Sequence, residues 1–374
     1  MRTTTTMITT TLVKNKVLLG LSGGVDSTTA ALFLRERGLD VTGFYFDVLG
    51  NNEEGVEGAK EVADELGIDL IVYDASEIFK KIVIQDFLNS YSEGRTPNPC
   101  VMCNPNIKFK LLINHANSIG AYYIATGHYA QVYHDHDKDR FFISAGANRL
   151  KDQSYMLYRL GQDVLGRLIL PLGNATNKDD VRSFARENNM SNWEKSDSQE
   201  ICFLESDAGY ASYIENQGRK LQPGDFVDLN GRVLGRHKGI HHYTIGQRKG
   251  LGIALGRPVF VTCIDSVRNT VTLGSNDDLM KKRIFSRDNF FTETSSQDMP
   301  EEYESGFECM AKIRYGAKPA FAHVRKADGR NGILQVEFDE PQRAPCPGQS
   351  LVFYIDDKVI GGGFIESCNS DFVH

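Results

Sequence analysis

An apolar run, Val17-Leu18-Leu19-Gly20-Leu21, leads directly into Ser22-Gly23-Gly24-Val25-Asp26-Ser27, and residues 28–37 follow with helical character. A buried strand, a glycine turn and a helix start in that order restrict the fold more than any other stretch of the chain. The glycines let the backbone approach an anion, and the first N–H groups of the helix point at it. Ser22 and Ser27 add hydroxyl donors, while Asp26 either caps the helix or helps to hold a magnesium ion. A tight strand-to-helix turn without a ligand is the plainer alternative.

Alternation of strands and helices continues downstream. Residues 41–46 read as a second buried strand, 56–66 carry apolar residues at helical spacing, and 70–73 form a third strand. A helix over about 77–89 precedes a proline-containing loop over 93–106; a helix over 107–119 and a strand over 122–126 follow. Such alternation predicts an α/β fold with a doubly wound parallel sheet, whose ligands sit at the carboxyl ends of the strands. Ser22 to Ser27, Phe46 and Gly127-His128 then share one rim. Residues 130–145 look like a hairpin. The pattern from 152 to 218 is helical, clearest over 177–187 with Thr176 as its cap. Beyond 218, glycine-punctuated short strands predict a small β module and then a β-barrel. The expected divisions are a disordered start over 1–15, a nucleotide-binding and catalytic domain over 16–208, a central β domain over 209–278 and a barrel over 279–374.

Composition narrows the function class less than the motifs do. No apolar run approaches the ~18–20 residues of a membrane span, so no membrane association is expected. The threonine-rich first residues lack the apolar core of a secretory signal; a transit peptide is the alternative to a disordered start. Seven cysteines in 374 residues suggest a reducing compartment, the cytoplasm, rather than a disulfide scaffold. A net charge of −7 supplies no global attraction to nucleic acid, so an RNA contact needs a local patch. Residues 229–264 provide one, with six Lys or Arg, three His and no acid; a solvated basic loop is the plain reading.

The second chemical focus is Thr96-Pro97-Asn98-Pro99-Cys100-Val101-Met102-Cys103-Asn104. Its prolines stiffen the presentation of a Cys-x-x-Cys pair. Such a pair is half a zinc site, a redox couple, or a thiolate nucleophile with a neighbour. A third sulfur, Cys202, lies in Asp197-Ser198-Gln199-Glu200-Ile201-Cys202-Phe203, and on its own reads as a buried apolar cysteine.

The Ser22–Ser27 run resembles the PP-loop of ATP pyrophosphatases, which adenylate a substrate and release pyrophosphate. Taken with the cysteine segment, Ala125-Thr126-Gly127-His128-Tyr129, Lys151-Asp152-Gln153-Ser154-Tyr155, residues 197–203, and the run from His242 to Gly252, the chain resembles the tRNA-specific 2-thiouridylase family. The motifs occur in the family's order from about residue 16 to 366. The resemblance implies that ATP adenylates the C2 oxygen of the wobble uridine of tRNA and that a cysteine persulfide then delivers sulfur, displacing AMP. It implies ATP binding by Gly20, Leu21, Ser22, Gly23, Gly24, Val25, Asp26, Ser27, Phe46 and Gly127, with magnesium near Asp26. Cys103 takes the place of the nucleophile and Cys202 that of the persulfide carrier, the two forming a reversible disulfide. Asn98, Pro99 and Cys100 would lie against the target base. His128, Lys151, Asp152, Gln153, Arg314, Tyr315 and Gln349 would contact tRNA. A persulfide donor or relay protein is the implied partner. Free thiols are mostly protonated at neutral pH, so lowered pKa values are expected for the reacting cysteines.

Two departures stand out. The family's usual residue at Cys100 is aspartate, and a thiol does not replace a carboxylate as an acid in the same pH range. Cys100, Cys103 and Cys202 as ligands of a [4Fe–4S] cluster is the alternative to the persulfide–disulfide route. The segment after Phe46 is also shorter than in many relatives. Two other readings stay open: another PP-loop adenylating enzyme, such as an amide-forming synthetase indifferent to loss of Cys103 or Cys202, and a nucleotide-dependent RNA-binding protein without turnover.

Overall fold

A computed structural model describes residues 11–195, 201–204, 209–219 and 221–366. The expected disordered start lies mostly outside the described residues, as do Asp197 to Glu200 of the Cys202 motif. The chain divides into two compact units, one of residues 1–79, 104–154 and 162–197, the other of residues 80–103, 155–161 and 198–374.

The first unit is built on a five-stranded parallel sheet. Its strands are β1 (Val13–Gly20), β2 (Asp40–Asp47), β3 (Leu70–Asp74) and β4 (Ala121–Ala125). After the hairpin β5 (Ala130–Asp135) and β6 (Arg140–Ala145), the short β7 (Leu168–Ile169) completes the sheet, in the order β3-β2-β1-β4-β7. The chain order reverses between β1 and β4, so the crevice at their carboxyl ends is a topological switch point, where such sheets bind ligands. The register places Gly20 opposite Phe44 and Leu19 opposite Ala125. Val17, Leu19, Leu21, Ala30, Leu34 and Ala125 are all buried in one apolar cluster, and each large aliphatic contributes about 1.5–3 kcal/mol by leaving water.

Helix α1 (Val25–Glu36) carries Asp26 in its first turn and Arg35 in its last, as the helix dipole favours. Helix α2 (Glu53–Leu66) is capped by Asn52, whose side chain accepts from Gly55 N, and ends at Gly67 in the left-handed region. Helix Lys178–Glu187 is capped by Asn177 rather than by Thr176. Asn177 is the residue that stays extended, with its side-chain Oδ1 accepting from Asp179 N at 2.9 Å.

The second unit contains a four-stranded sheet and a closed barrel. The sheet runs β10-β11-β8-β9, from β8 (Gly224–Val227), β9 (Val233–His237), β10 (Phe260–Asp265) and β11 (Thr270–Gly274). The barrel strands are β12 (Met280–Phe291), β13 (Phe307–Lys312), β14 (Ala320–Lys326), β15 (Leu334–Arg343), β16 (Ser350–Ile355) and β17 (Lys358–Ile365). They pair in the order β12-β15-β14-β13-β16-β17, and β12 also pairs with β17. The long β12 closes the ring by pairing with β15 up to Ser286 and with β17 from Ser286 onwards. Closure removes the sheet edges that would otherwise template aggregation.

Candidate functional site

In the first unit, the turn after β1 is organised by its own hydroxyls. Ser22 N donates to Ser27 Oγ at 3.1 Å, and the Ser27 and Thr28 hydroxyls donate to Gly24 O at 3.0 and 3.1 Å. Gly24 is the N-cap of α1 and is extended, with no side chain to occupy the first amides. An uncapped helix start preceded by glycine is the arrangement that receives an anion. Gly23 has φ +72°, and a Cβ there would lie 2.8 Å from Gly58 C, so this position admits only glycine.

Gly127 closes the same turn from the β4 side. A Cβ on it would fall 3.0–3.1 Å from Asp26 C and O and Ser27 N, all backbone atoms. Gly127→Ala is therefore expected to displace the start of α1, costing about 1–3 kcal/mol, and to weaken nucleotide binding. Chemical denaturation and calorimetric titration with ATP read the two effects separately. Phe46, half-buried at the end of β2, would be 3.3 Å from a Cβ on Gly20.

Three side chains that the sequence reading passed over converge on this turn. Lys178 Nζ forms an ion pair with Asp26 Oδ1, and Tyr129 OH donates to the same oxygen at 2.6 Å. Lys178 also sits over the Tyr129 ring, 5.6 Å from its centroid. Asn192 Nδ2 donates to Gly23 O at 3.2 Å and to Thr28 Oγ1 at 2.8 Å. Both contacts to Asp26 fall on Oδ1, which is compatible with a cation at Oδ2. A carboxylate beside this turn would repel an anion, and Lys178 supplies a compensating charge.

His128 is half-buried, with Nδ1 2.8 Å from Thr126 Oγ1 and its ring stacked on Phe109 at 6.1 Å. Burial, reinforced by the Lys108 charge, pushes its pKa down to about 3. Between pH 6.5 and 3 the unfolded chain binds the proton that the folded chain excludes, so stability falls as pH is lowered through this window. A His128→Gln variant is expected to show a shallower loss over that range, measured as the difference in denaturation free energy between variant and parent.

The next residues take part in local hydrogen bonds. Asp152 is buried and accepts from Gly146 N at 3.0 Å and from Ser154 N and Oγ at 3.1 and 2.9 Å. Gln153 exchanges hydrogen bonds with the Tyr129 backbone at 2.8 and 2.9 Å. Lys151 N donates to Asn148 O at 3.1 Å.

In the second unit, Cys100 and Cys103 lie on a helical turn, Pro99–Cys103, where a loop was expected. Asn98 Oδ1 accepts from Cys100 N at 3.2 Å, and Pro99 takes the first helical position, where its missing N–H costs nothing. Thr96 N donates to Pro347 O at 2.7 Å, and Gln349 Nε2 donates to Thr96 O and Pro97 O at 2.9 and 3.3 Å. Gln349 thus straps the cysteine segment to the turn before β16. Arg314 and Tyr315 lie in the turn after β13; Arg314 donates to Arg343 O at 3.0 Å, and the Tyr315 ring is 6.3 Å from that of Tyr155.

The thiols differ in environment. Cys103 is buried at 5% exposure, Cys100 is half-buried and Cys202 is exposed, not apolar-buried as its isolated reading suggested. Phe203 anchors the Cys202 turn by packing edge-on against Phe87, with centroids 5.2 Å apart, and beside Tyr213. Burial pushes Cys309 up to about 12 and Cys346 up to about 11, the mark of inert thiols, and Cys263 is disulfide-bonded.

The basic stretch is divided. Arg232, Lys238, Arg248, Lys249 and Arg257 are exposed, whereas Arg236 pairs with Asp225 at 2.7 Å. His237 is buried and bonded to Asn269 O, and His241 and His242 turn towards Glu215.

Residues 15–206 match the family model described as a tRNA methyl transferase HUP domain. Residues 212–275 match a tRNA methyl transferase PRC-barrel domain, and 287–365 an aminomethyltransferase beta-barrel domain. The chain is 43% identical over 367 residues to tRNA-specific 2-thiouridylase MnmA of Acetivibrio thermocellus, covering 94% of this chain and 99% of that protein. It belongs to the tRNA-specific 2-thiouridylase family. The Clostridium perfringens member is 44% identical over 369 residues and the Clostridioides difficile member 42% over 366, each covering 95% of this chain and 99% of the relative. The parallel-sheet unit, the small β sheet and the barrel agree with the fold expected from the family resemblance.

Proposed function

We propose that the chain is an ATP-dependent tRNA-uridine 2-sulfurtransferase acting on the wobble uridine. The observation that carries this reading is similarity along nearly the whole chain to proteins named tRNA-specific 2-thiouridylases. The domain model's description mentions methyl transfer, but an uncapped glycine turn with an attendant lysine suits adenylation better. In this reading, Gly20 to Ser27, Phe46 and Gly127 bind ATP. Magnesium, held near Asp26, would help neutralise the phosphates, and Lys178 balances the carboxylate. The domains are taken as 16–208, 209–278 and 279–374.

The uridine C2 oxygen attacks the α-phosphorus of ATP, and pyrophosphate leaves. The terminal sulfur of a Cys202 persulfide then attacks C2; the C2–O bond breaks and AMP departs with both electrons. This leaves a C2–S–S–Cys202 linkage. The Cys103 thiolate attacks the Cys202 sulfur, forming a Cys103–Cys202 disulfide and releasing the thiocarbonyl product. An external thiol reductant resets the disulfide, and a persulfide donor reloads Cys202.

Exposure of Cys202 suits loading by a donor protein, and burial of Cys103 suits a resolving thiol shielded from oxidants. Asn98, Pro99 and Cys100 would face a base extruded from its stack, with Cys100 replacing the usual aspartate. His128, Lys151, Arg314 and Tyr315 would meet tRNA directly, while Asp152, Gln153 and Gln349 would act by holding their segments. The test is incubation with unmodified tRNA, ATP, magnesium and a persulfide source, followed by nucleoside mass spectrometry. Formation of 2-thiouridine supports the reading; AMP release with an amine acceptor and no thiolated base would replace it with a synthetase.

A further inference from the structure

We propose that Glu215, His241 and His242 form a site for a divalent transition-metal ion, zinc by the character of the ligands. His241 and His242 belong to the basic stretch read above as an RNA patch, but their Nε2 atoms face Glu215. Glu215 belongs to helix Gly209–Asn216, and both histidines to the turn Ile240–His242. Glu215 Oε1 lies 3.2 Å from His241 Nε2 and 3.1 Å from His242 Nε2, and all three atoms lie within 4.8 Å of one another. Ligands at zinc's usual distance of about 2.0–2.1 Å stand about 3.3 Å apart in a tetrahedral arrangement. An ion is therefore accommodated with little movement.

Imidazole nitrogen and carboxylate oxygen are ligands that zinc accepts readily.

The local backbone is also shaped around His241. The ring is fully buried, and among the described residues its Nδ1 has no hydrogen-bond partner, while its Nε2 faces Glu215. Gly239 precedes it with φ +138°, and a Cβ there would fall 2.6 Å from His241 Cε1. Glycine at 239 makes the ring position possible. A cavity lined by Tyr210, His242, Thr244 and Gln247 opens beside the site, with room for a water molecule as a fourth ligand. Three protein ligands and one open position are the pattern of a reactive zinc centre rather than of a closed structural one.

Full-length protein, stripped with chelator, should be titrated with Zn²⁺ and with Co²⁺, following metal content and the visible spectrum of cobalt. One equivalent should bind, with cobalt d–d bands and no thiolate-to-cobalt charge transfer. Glu215→Gln, which keeps an oxygen acceptor for both histidines, and His242→Ala should each weaken binding about 100-fold or more. Circular dichroism checks that both variants fold. Cys103→Ser and Cys202→Ser should leave the cobalt spectrum unchanged. Substoichiometric binding by the parent protein would overturn the proposal. So would binding that survives both ligand substitutions, or a thiolate charge-transfer band that disappears with the cysteines.

Discussion

Cys202→Ser is expected to abolish 2-thiouridine formation while leaving tRNA-dependent exchange of pyrophosphate into ATP nearly intact. A serine hydroxyl cannot carry a terminal sulfur, so the loss should be ~10³-fold or more in turnover, with adenylation preserved. The environment of Cys202 favours this separation. It sits on an exposed turn that the Phe203 ring anchors against Phe87 and Tyr213, and substitution at the thiol leaves that anchor untouched. Cys103→Ser should fail differently. Cys202 would still be loaded and would still attack the activated base, but no second thiol would cleave the resulting linkage. A covalent tRNA–protein adduct that dissolves on adding dithiothreitol is the expected species, seen as a shifted band on a denaturing gel. Equal loss in both variants with no adduct would show that the two sulfurs do not act in that order.

Lys178→Ala should act on the opposite half of the reaction. Lys178 neutralises Asp26 in the first turn of α1, where the proposed ATP site would bring phosphate negative charge. Its removal leaves a carboxylate facing the ligand, and the rate of adenylation should fall by about 10²–10³-fold. Sulfur loading on Cys202, measured by alkylation and mass spectrometry, should not change. Lys178→Arg should recover part of the loss. Asp26→Asn added to Lys178→Ala should recover part as well, because the uncompensated charge is then gone. If the double variant is no better than the single one, the role of Lys178 lies elsewhere than in balancing Asp26.

How far the sequence revealed this architecture depended on whether the signal was local. The glycine turn was legible because strand, glycines and helix start are contiguous, and the α2 apolar positions at helical spacing are buried as expected. Strand β17 was not legible. Its centre is Gly361-Gly362-Gly363, a composition that ordinarily weakens a strand. The reason for those glycines is tertiary: Cβ atoms there would lie 2.4 Å from Phe290 O, 2.6 Å from Leu351 O and 2.1 Å from Asn289 Oδ1. The turn Pro99–Cys103 was hidden by its prolines, which read as a loop until Asn98 is seen capping it.

The candidate site divides in the same way. Ser22 to Ser27, Cys103 and Cys202 announced themselves by motif, because their chemistry demands particular residue types. Lys178 carries no motif and Tyr129 was read only as the end of one, and they meet Asp26 across 152 and 103 positions of sequence. Asp152, Gln153 and Gln349 were legible as motif members, but the backbone groups that each holds are disclosed only by hydrogen-bond partners. The three histidines of the basic stretch looked like phosphate contacts, yet His237 and His241 are buried and bonded internally.

The most direct measurement follows an oxygen atom. A tRNA bearing ¹⁸O at C2 of the wobble uridine should be incubated with ATP, magnesium and a persulfide source, and the AMP and nucleosides analysed by mass spectrometry. Adenylation of that oxygen followed by sulfur attack predicts one ¹⁸O in AMP for each 2-thiouridine formed. AMP without the label, or labelled AMP with no thiolated uridine, would contradict it.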